Sequence, residues 1–231
     1  MNGIEATARA LSYYRNLHQV TASNLAQVST TGYKAARLAA HRARTGNEPV
    51  AVAWTDWKQG ALTETRRKLD VALDGPGFLV VRTEHGERLT RGGSLELGPD
   101  GQLIDLSGHP VLAEGGEVLL FDGNDDLRIQ EDGWIVVNGK PEAKLRVETV
   151  SDLSRLRREE GGLWAPTEKP VPVMDGTVRV RQGWLEGSNV DPVDSLIDLI
   201  DISRAYAANS QVLKALDGAL GIAATEVGNT R

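Results

Sequence analysis

The sequence predicts an α+β protein in which long N- and C-terminal helices pack as a coiled-coil-like domain, with an inserted all-β domain between them. Three observations predict it. Apolar residues recur at spacings of three and four at both chain ends, short apolar runs separated by turn pairs fill the middle, and the two ends carry opposite charges. We place the helical domain at residues 1–60 and 183–231 and the β-rich domain at 61–182.

Composition limits the functional classes. The chain has 231 residues, 40% hydrophobic and 25% charged, as is usual for a globular protein. Its net charge of −6 does not favour nucleic-acid binding. It contains no cysteine, which excludes disulfides and thiolate sites. No apolar run approaches the roughly 18 residues that a membrane-spanning helix requires.

The first segment, residues 2–28, is predicted to be helical. Its seven-residue repeat is carried by Ile4, Leu11, His18 and Leu25, with Ala8, Tyr14, Thr21 and Val28 at the alternating positions. Gly32 then suits the left-handed conformation found at helix C-termini. The pattern weakens over residues 33–60, and residues 45–49 are predicted to form a loop. The Arg-bearing amphipathic start also resembles an organellar transit peptide, although its pattern continues beyond the usual length.

The middle of the chain has the pattern of short strands and turns. The stretch LDVALDGPGFLVV predicts two strands around the turn at residues 74–77. Turn signals at residues 99–101, 132–133 and 138–139 separate further candidates. The additional predicted strands are 87–91, 94–97, 102–105, 117–120, 127–129, 134–137, 144–150 and 177–181.

The last segment is predicted to be one long helix. Asp191 can cap its N-terminus, Pro192 fits the first helical position, and Asp194 lies beside the positive end of the helix dipole. Asn209 is a polar position within the apolar repeat, and we hypothesise that it sets helix register; the alternative is that it lies at the edge of a slightly rotated stripe. The repeat comprises Leu199, Ile202, Tyr206, Asn209, Leu213, Leu216, Leu220, Ala223 and Val227.

The charges of the two end segments are complementary. Residues 6–47 contain six basic and no acidic side chains, whereas residues 186–217 contain six acidic side chains and only two basic ones. We therefore expect the terminal helices to pair antiparallel, within one chain or between copies; the alternative is that both charge runs are solvated faces. Because a small β domain cannot cover such long apolar stripes, we also expect the termini to be poorly ordered in the monomer and to fold on assembly, with Tyr14, Tyr206, Leu213 and Leu220 as anchors.

The sequence offers no site for chemistry. The carboxylates at 191, 194, 198 and 201 share one helix face, but no other ligand type is near, so a solvated or arginine-facing stripe is favoured over a metal site. Residues 122–133 resemble a calcium loop but lack the required glycine at the sixth position and the acid at the twelfth. No nucleophile elbow, phosphate loop or zinc motif is present. We predict that the chain is not an enzyme and has no catalytic, cofactor or metal site.

Three stretches resemble one family. The stretch ASNLAQVSTTGYKAAR (residues 22–37) resembles the N-terminal signature of bacterial flagellar axial proteins, the rod, hook and hook-associated group. QGALTETRRKLDVALDGPGFLVV (59–81) is similar to that family's central motif. LEGSNVDPVDSLIDLIDISRAYAANSQVL (185–213) is similar to its C-terminal motif. The motifs occur in family order over nearly the whole chain, although Ser23, Gln27 and Ser29 replace asparagines of the signature.

The resemblance implies a structural subunit of the basal-body rod. The chain length and the short segment 32–59 favour the proximal over the distal rod. Less favoured is a secreted β-domain adhesin with a coiled-coil tail. The resemblance further implies a periplasmic location, export by the flagellar type III apparatus without a cleaved signal peptide, and copies of itself and other rod subunits as partners.

The resemblance and the repeats together select candidate assembly residues. In the N-terminal motif they are Leu11, Asn24, Leu25, Val28, Thr31, Gly32 and Lys34. In the C-terminal segment they are Ser188, Asn189, Val190, Leu199, Ile202, Tyr206, Asn209, Leu213, Leu216 and Leu220.

Overall fold

The computed structural model describes residues 3–42, 49–123 and 125–228. It contains the α-helices α1 (Gly3–Ala26) and α2 (Pro192–Gly228) and two short 3-10 helices (Leu153–Arg155 and Glu160–Gly162). The strands are β1 (Ala36–Arg42), β2 (Pro49–Thr55), β3 (Leu62–Glu64), β4 (Val71–Asp74), β5 (Phe78–Thr83), β6 (Gly86–Thr90), β7 (Leu95–Leu97), β8 (Leu103–Asp105), β9 (Leu127–Ile129), β10 (Trp134–Val137), β11 (Lys140–Lys144), β12 (Val147–Thr149), β13 (Leu156–Arg158), β14 (Leu163–Pro166), β15 (Val171–Pro172), β16 (Arg179–Gln182) and β17 (Trp184–Glu186).

The predicted fold class is wrong in its central feature. Within the described residues, α1 and α2 are the only two α-helices, and strands dominate the rest, so the terminal helices do not form a coiled-coil domain. The physical reason lies in α2, which carries apolar side chains on two opposite faces instead of one heptad stripe. In α1, moreover, the buried positions are polar: Thr7, Thr21 and Asn24. The broader α+β description fits only loosely.

The contacts divide the chain into two units, each with its own packing. The helical unit comprises residues 1–26, 36–56 and 190–231, and the β unit comprises 27–35 and 57–189. No helix of the described ranges combines the length and apolarity needed to cross a bilayer.

In the helical unit, α1 and α2 pack against each other. They run antiparallel, since a Cβ on Gly3 would lie 3.6 Å from Leu216 Cδ1 while Tyr14 lines a cavity with Ile202. Asp191 caps α2, as predicted: its carboxylate accepts the N–H groups of Val193 (2.8 Å) and Asp194 (3.1 Å). The unit also contains the antiparallel hairpin β1–β2, in a stretch where the helical pattern weakened and no strand was predicted.

The β unit is organised around a six-stranded sheet with the strand order β13-β14-β6-β5-β12-β15. Strand β5 lies near its centre, and Phe78, Leu79, Val80 and Val81 are all buried, because the sheet is covered on both faces. Leu79 and Val81 belong to one apolar cluster with Leu95, whereas Phe78 and Val80 belong to a second cluster. This unit therefore completes its own core.

Most predicted strands are present. Those predicted at 127–129 and 134–137 have these bounds, the one at 87–91 is shifted by one residue, and those at 94–97, 102–105, 144–150 and 177–181 are shorter. The turn at residues 74–77 separates β4 from β5, and Asn138 and Gly139, both at positive φ, join β10 to β11. Residues 117–120 form isolated bridges instead of the predicted strand. The predicted loop at residues 45–49 lies largely outside the described residues.

Candidate functional site

The stretch that follows α1 enters the β unit through a tight turn at Gly32. Its φ of +67° is the left-handed conformation predicted for it, but α1 already ends at Ala26, so Gly32 does not cap the helix as the sequence predicted. Its N–H donates to the Glu186 carbonyl at 2.8 Å, and a Cβ at this position would lie 2.4 Å from the Arg91 carbonyl carbon. Only glycine satisfies both the backbone angle and this close approach, so the sequence at Gly32 directs the chain onto the segment around Glu186.

A buried ion cluster joins three distant parts of the sequence. Glu186 is 1% exposed and accepts Lys34 Nζ at 2.5 Å on Oε1 and Arg91 Nη2 at 2.5 Å on Oε2. The Gly60 N–H also donates to Oε1, at 3.0 Å. Lys34 and Arg91 are buried as well, so two cations share one carboxylate away from water. Such a cluster is costly unless its hydrogen bonds are complete.

Arg91 completes its hydrogen bonds on the central turn. Nη1 donates to the carbonyls of Gly75 (2.8 Å) and Gly77 (2.7 Å), and Nη2 donates to that of Leu73 (3.0 Å). Nε donates to Glu186 at 2.8 Å. The guanidinium thus fixes the turn between β4 and β5 to the end of β17.

A second arginine, Arg158, binds the segment that contains Tyr33 and Lys34. The Arg158 guanidinium carbon lies 4.6 Å from the Tyr33 ring centre and 4.7 Å from a Trp164 ring centre, and the guanidinium donates to the Lys34 carbonyl. Burial lowers the pKa of Arg158 below its usual value, while the Tyr33 hydroxyl opposes this shift. Cation–π contacts of this kind strengthen as the cation is desolvated.

Two asparagines among the candidate assembly residues both donate and accept hydrogen bonds with backbone groups. Asn24 donates from Nδ2 to the Ala36 carbonyl (2.7 Å) and accepts the Ala36 N–H on Oδ1 (2.9 Å), which ties the end of α1 to the start of β1. Asn189 accepts the Ala35 N–H (2.7 Å) and donates to the Lys58 carbonyl (3.0 Å). A side-chain amide can do both because its NH₂ group donates while its carbonyl oxygen accepts.

The remaining candidates do not gather at one point. Ile202 and Val190 are buried, whereas Tyr206 and Leu220 are exposed. Asn209 Nδ2 donates to the Ala205 carbonyl of its own helix at 2.8 Å. Eight further candidates are half-buried: Leu11, Leu25, Val28, Thr31, Ser188, Leu199, Leu213 and Leu216. The side chains of Ala223 and Val227 lie outside the described set.

The sequence interpretation missed an outer face of α2. Val193, Leu196, Ile197 and Ile200 are 63%, 52%, 53% and 53% exposed, and they lie opposite buried Ile202. We name these four residues the α2 outer face. Their spacing of three and four was a visible signal, but it runs beside the repeat that was counted. Four aliphatic side chains exposed together on one helix face indicate an interaction surface.

The sequence interpretation also missed Arg91 and Arg158, which none of its assembly candidates included. Within the described ranges, no group of three or more metal-ligating side chains is close enough to hold an ion. Arg91 and Arg158 have a structural role, because they fix the segments around Lys34 and Glu186 by hydrogen bonds. The α2 outer face is a separate feature, an exposed apolar surface.

Comparison with known proteins identifies relatives along almost the whole chain. Residues 181–226 match a family model described as the C-terminal region of the flagellar basal body rod proteins FlgEFG. The flagellar basal-body rod protein FlgF of Salmonella typhimurium is 34% identical, with 90% of this chain and 91% of the relative covered. FlgF of Escherichia coli is also 34% identical, with 92% of each chain covered. FlgG of Buchnera aphidicola from Schizaphis graminum is 28% identical over 86% of this chain and 89% of the relative.

Proposed function

Because this chain belongs to the flagellar basal-body rod proteins of the FlgF type, it is a structural subunit of the proximal rod, and we propose that its copies stack through their terminal helices into a hollow, torque-transmitting shaft. The lower identity to the FlgG relative does not favour the distal rod. An adhesin is likewise not favoured.

One observation carries the stacking proposal. The α2 outer face leaves four aliphatic residues more than half exposed in the single chain. Hydrophobic burial contributes about 25 cal/mol per Å² of apolar surface, so covering this face with neighbouring subunits stabilises an assembly. A heterologous contact between different surfaces generates an open helical array, which a shaft requires. In this proposal, residues 1–60 and 183–231 build the shaft and residues 61–182 face outward.

Retention of the N-terminal segment fits the same proposal. Residues 3–26 form α1, which packs against α2, so cleaving them would remove half of the helix pair. We infer that the subunit is exported by the flagellar type III apparatus as an unfolded chain and keeps this segment. The absence of cysteine is compatible with passage into the oxidising periplasm.

The test is a charge placed on the α2 outer face. Ile200→Glu should leave the fold intact, since an exposed substitution changes the free energy of unfolding by within about 0.5 kcal/mol. In cells that carry it as the only copy, it should abolish rods in isolated basal bodies and stop swimming. The control is Met174→Glu, at a side chain 78% exposed in the β unit, which should assemble normally. Normal rods with Ile200→Glu would contradict the proposal.

A further inference from the structure

The hairpin β1–β2 has two chemically different faces. In its register Arg37 pairs with Trp54 and Ala39 with Val52, so these four side chains share one face, which we name the hairpin outer face. The alternate residues lie on the other face, where Ala40 and Ala51 line a groove of about 380 Å³ together with α1. The hairpin outer face therefore points away from the helix that supports the hairpin.

The hairpin outer face is apolar and exposed. Trp54 is 48% exposed and Val52 43%, although both belong to side-chain types that are usually buried. Within the described residues, β1 and β2 pair with no further strand, so the hairpin also has two open edges. An isolated two-stranded hairpin is marginally stable in water and needs further packing. We therefore expect a partner that packs on this face to stabilise the hairpin.

The α2 outer face has the complementary chemistry. Asp194 and Asp201 lie beside Ile197, three residues before it and four after it, so an apolar strip is flanked by carboxylates. On the hairpin, Arg37 lies beside Trp54. Its side chain is 49% exposed, and its Nη2 lies 3.4 Å from Asp56 Oδ2. Apolar surface can thus cover apolar surface while a guanidinium faces a carboxylate.

We propose that the hairpin outer face of one subunit binds the α2 outer face of a second copy of this chain. Both faces belong to the same helical unit and both are exposed in the single chain, so neither covers the other within one molecule. Because the two surfaces differ, each copy can bind one neighbour by its hairpin and another by its helix, and the array stays open. The inference rests on the proposed rod assembly and names the surfaces that it uses.

The absence of cysteine makes a cross-linking test specific. Val52→Cys and Ile197→Cys are made in separate, differently tagged copies and expressed together. Isolated basal bodies are then oxidised, and disulfide-linked species are resolved by size. We expect a mixed dimer from this pair and little dimer from either variant alone. The matched control pairs Val52→Cys with Met174→Cys, which is more exposed and should not cross-link.

A charge exchange supplies the second arm. Arg37→Glu should reduce swimming and rod yield several-fold, and adding Asp201→Arg in the same chain should restore both. Rods that form normally but yield only Val52–Val52 dimers, or no mixed dimer, would overturn this inference and leave the proposed function standing. If Ile200→Glu assembles as well as the parent, the proposed function itself fails. The two failures are therefore distinguishable.

Discussion

Replacing Glu186 with glutamine should destabilise the β unit more than replacing Lys34, one of the two cations that it binds, with methionine. The carboxylate is 1% exposed and compensates two buried cations, Lys34 and Arg91, each at 2.5 Å. Glutamine removes the charge and turns an NH₂ donor toward one of the two cationic donors. Breaking a buried ion pair from one side costs about 3–5 kcal/mol, because the remaining charge stays buried without a partner.

Lys34→Met should cost less, because it leaves one carboxylate facing one guanidinium. Glu186 Oε1 keeps the Gly60 N–H, and the loss is mainly that of the charged hydrogen bonds from Lys34, including one to the Lys58 carbonyl at 2.8 Å. Hydrogen bonds to charged groups contribute about 1.5–3 kcal/mol. We therefore expect the order Glu186→Gln, then Lys34→Met, in the free energy of unfolding that is lost.

The assays are urea unfolding and thermal unfolding, both followed by tryptophan fluorescence, with Trp57 and Trp164 reporting on the β unit. A domain of this size shifts its melting temperature by about 2–4 °C per kcal/mol, so Glu186→Gln should lower it by roughly 6–20 °C. The matched control is Arg37→Gln, at an ion pair whose partners are 49% and 18% exposed, which should cost under about 1 kcal/mol. If Lys34→Met costs as much as Glu186→Gln, or if Glu186→Gln matches the control, the charge argument is refuted.

Three further changes test the local geometry. Gly32→Ala should destabilise the fold by at least about 1–2 kcal/mol, because the backbone is left-handed and the Arg91 carbonyl is close. Gly176→Ala, at φ +80° with open space around it, should show only the destabilisation that comes from the left-handed backbone. Thermal unfolding of both variants makes the comparison. Asn24→Asp replaces a donor with a second acceptor, so it should cost about 1–3 kcal/mol in urea unfolding. Hydrogen bonding from Arg88 lowers the pKa of Glu159 below its ordinary 4.5, so this stabilisation is present above pH 4.5 and is lost as pH falls through the folded-state value. Arg88→Gln should therefore destabilise the protein at pH 7, and its effect should shrink as the pH falls below 4.5, as a series of urea titrations over this range would show.

Local signals predicted much of the β unit. The Asn138-Gly139 pair takes positive φ at both residues, which is the requirement of a two-residue hairpin turn, and the apolar run at 78–81 is buried on both faces. Strand β11 was missed because it is polar and contains Pro141. It is an edge strand, where proline costs no hydrogen bond within the sheet.

The buried ion cluster could not be predicted from local sequence signals. The positions of Lys34, Arg91 and Glu186 lie far apart along the chain, and no periodicity relates them, so only the folded chain reveals the cluster. The hairpin β1–β2 was missed for another reason. Its strands are rich in alanine, a poor strand former, and its outer face is apolar where an exposed strand face is usually polar. A strand is predicted from alternating apolar and polar residues, which reflect a buried and an exposed face within one chain. This hairpin lacks that alternation because its exposed face is apolar.

The two units differ in what a neighbour can add to them. The β unit buries both of its apolar clusters by itself, so its stability should be nearly independent of assembly. In the helical unit, α2 is apolar on two faces, but only one helix, α1, packs against it, so its outer face stays exposed in the single chain. Binding to the folded form stabilises it by mass action. Hydrogen exchange in α1 and α2 should therefore slow on assembly far more than in β5, and equal slowing would mean that the helices were already complete in the single chain.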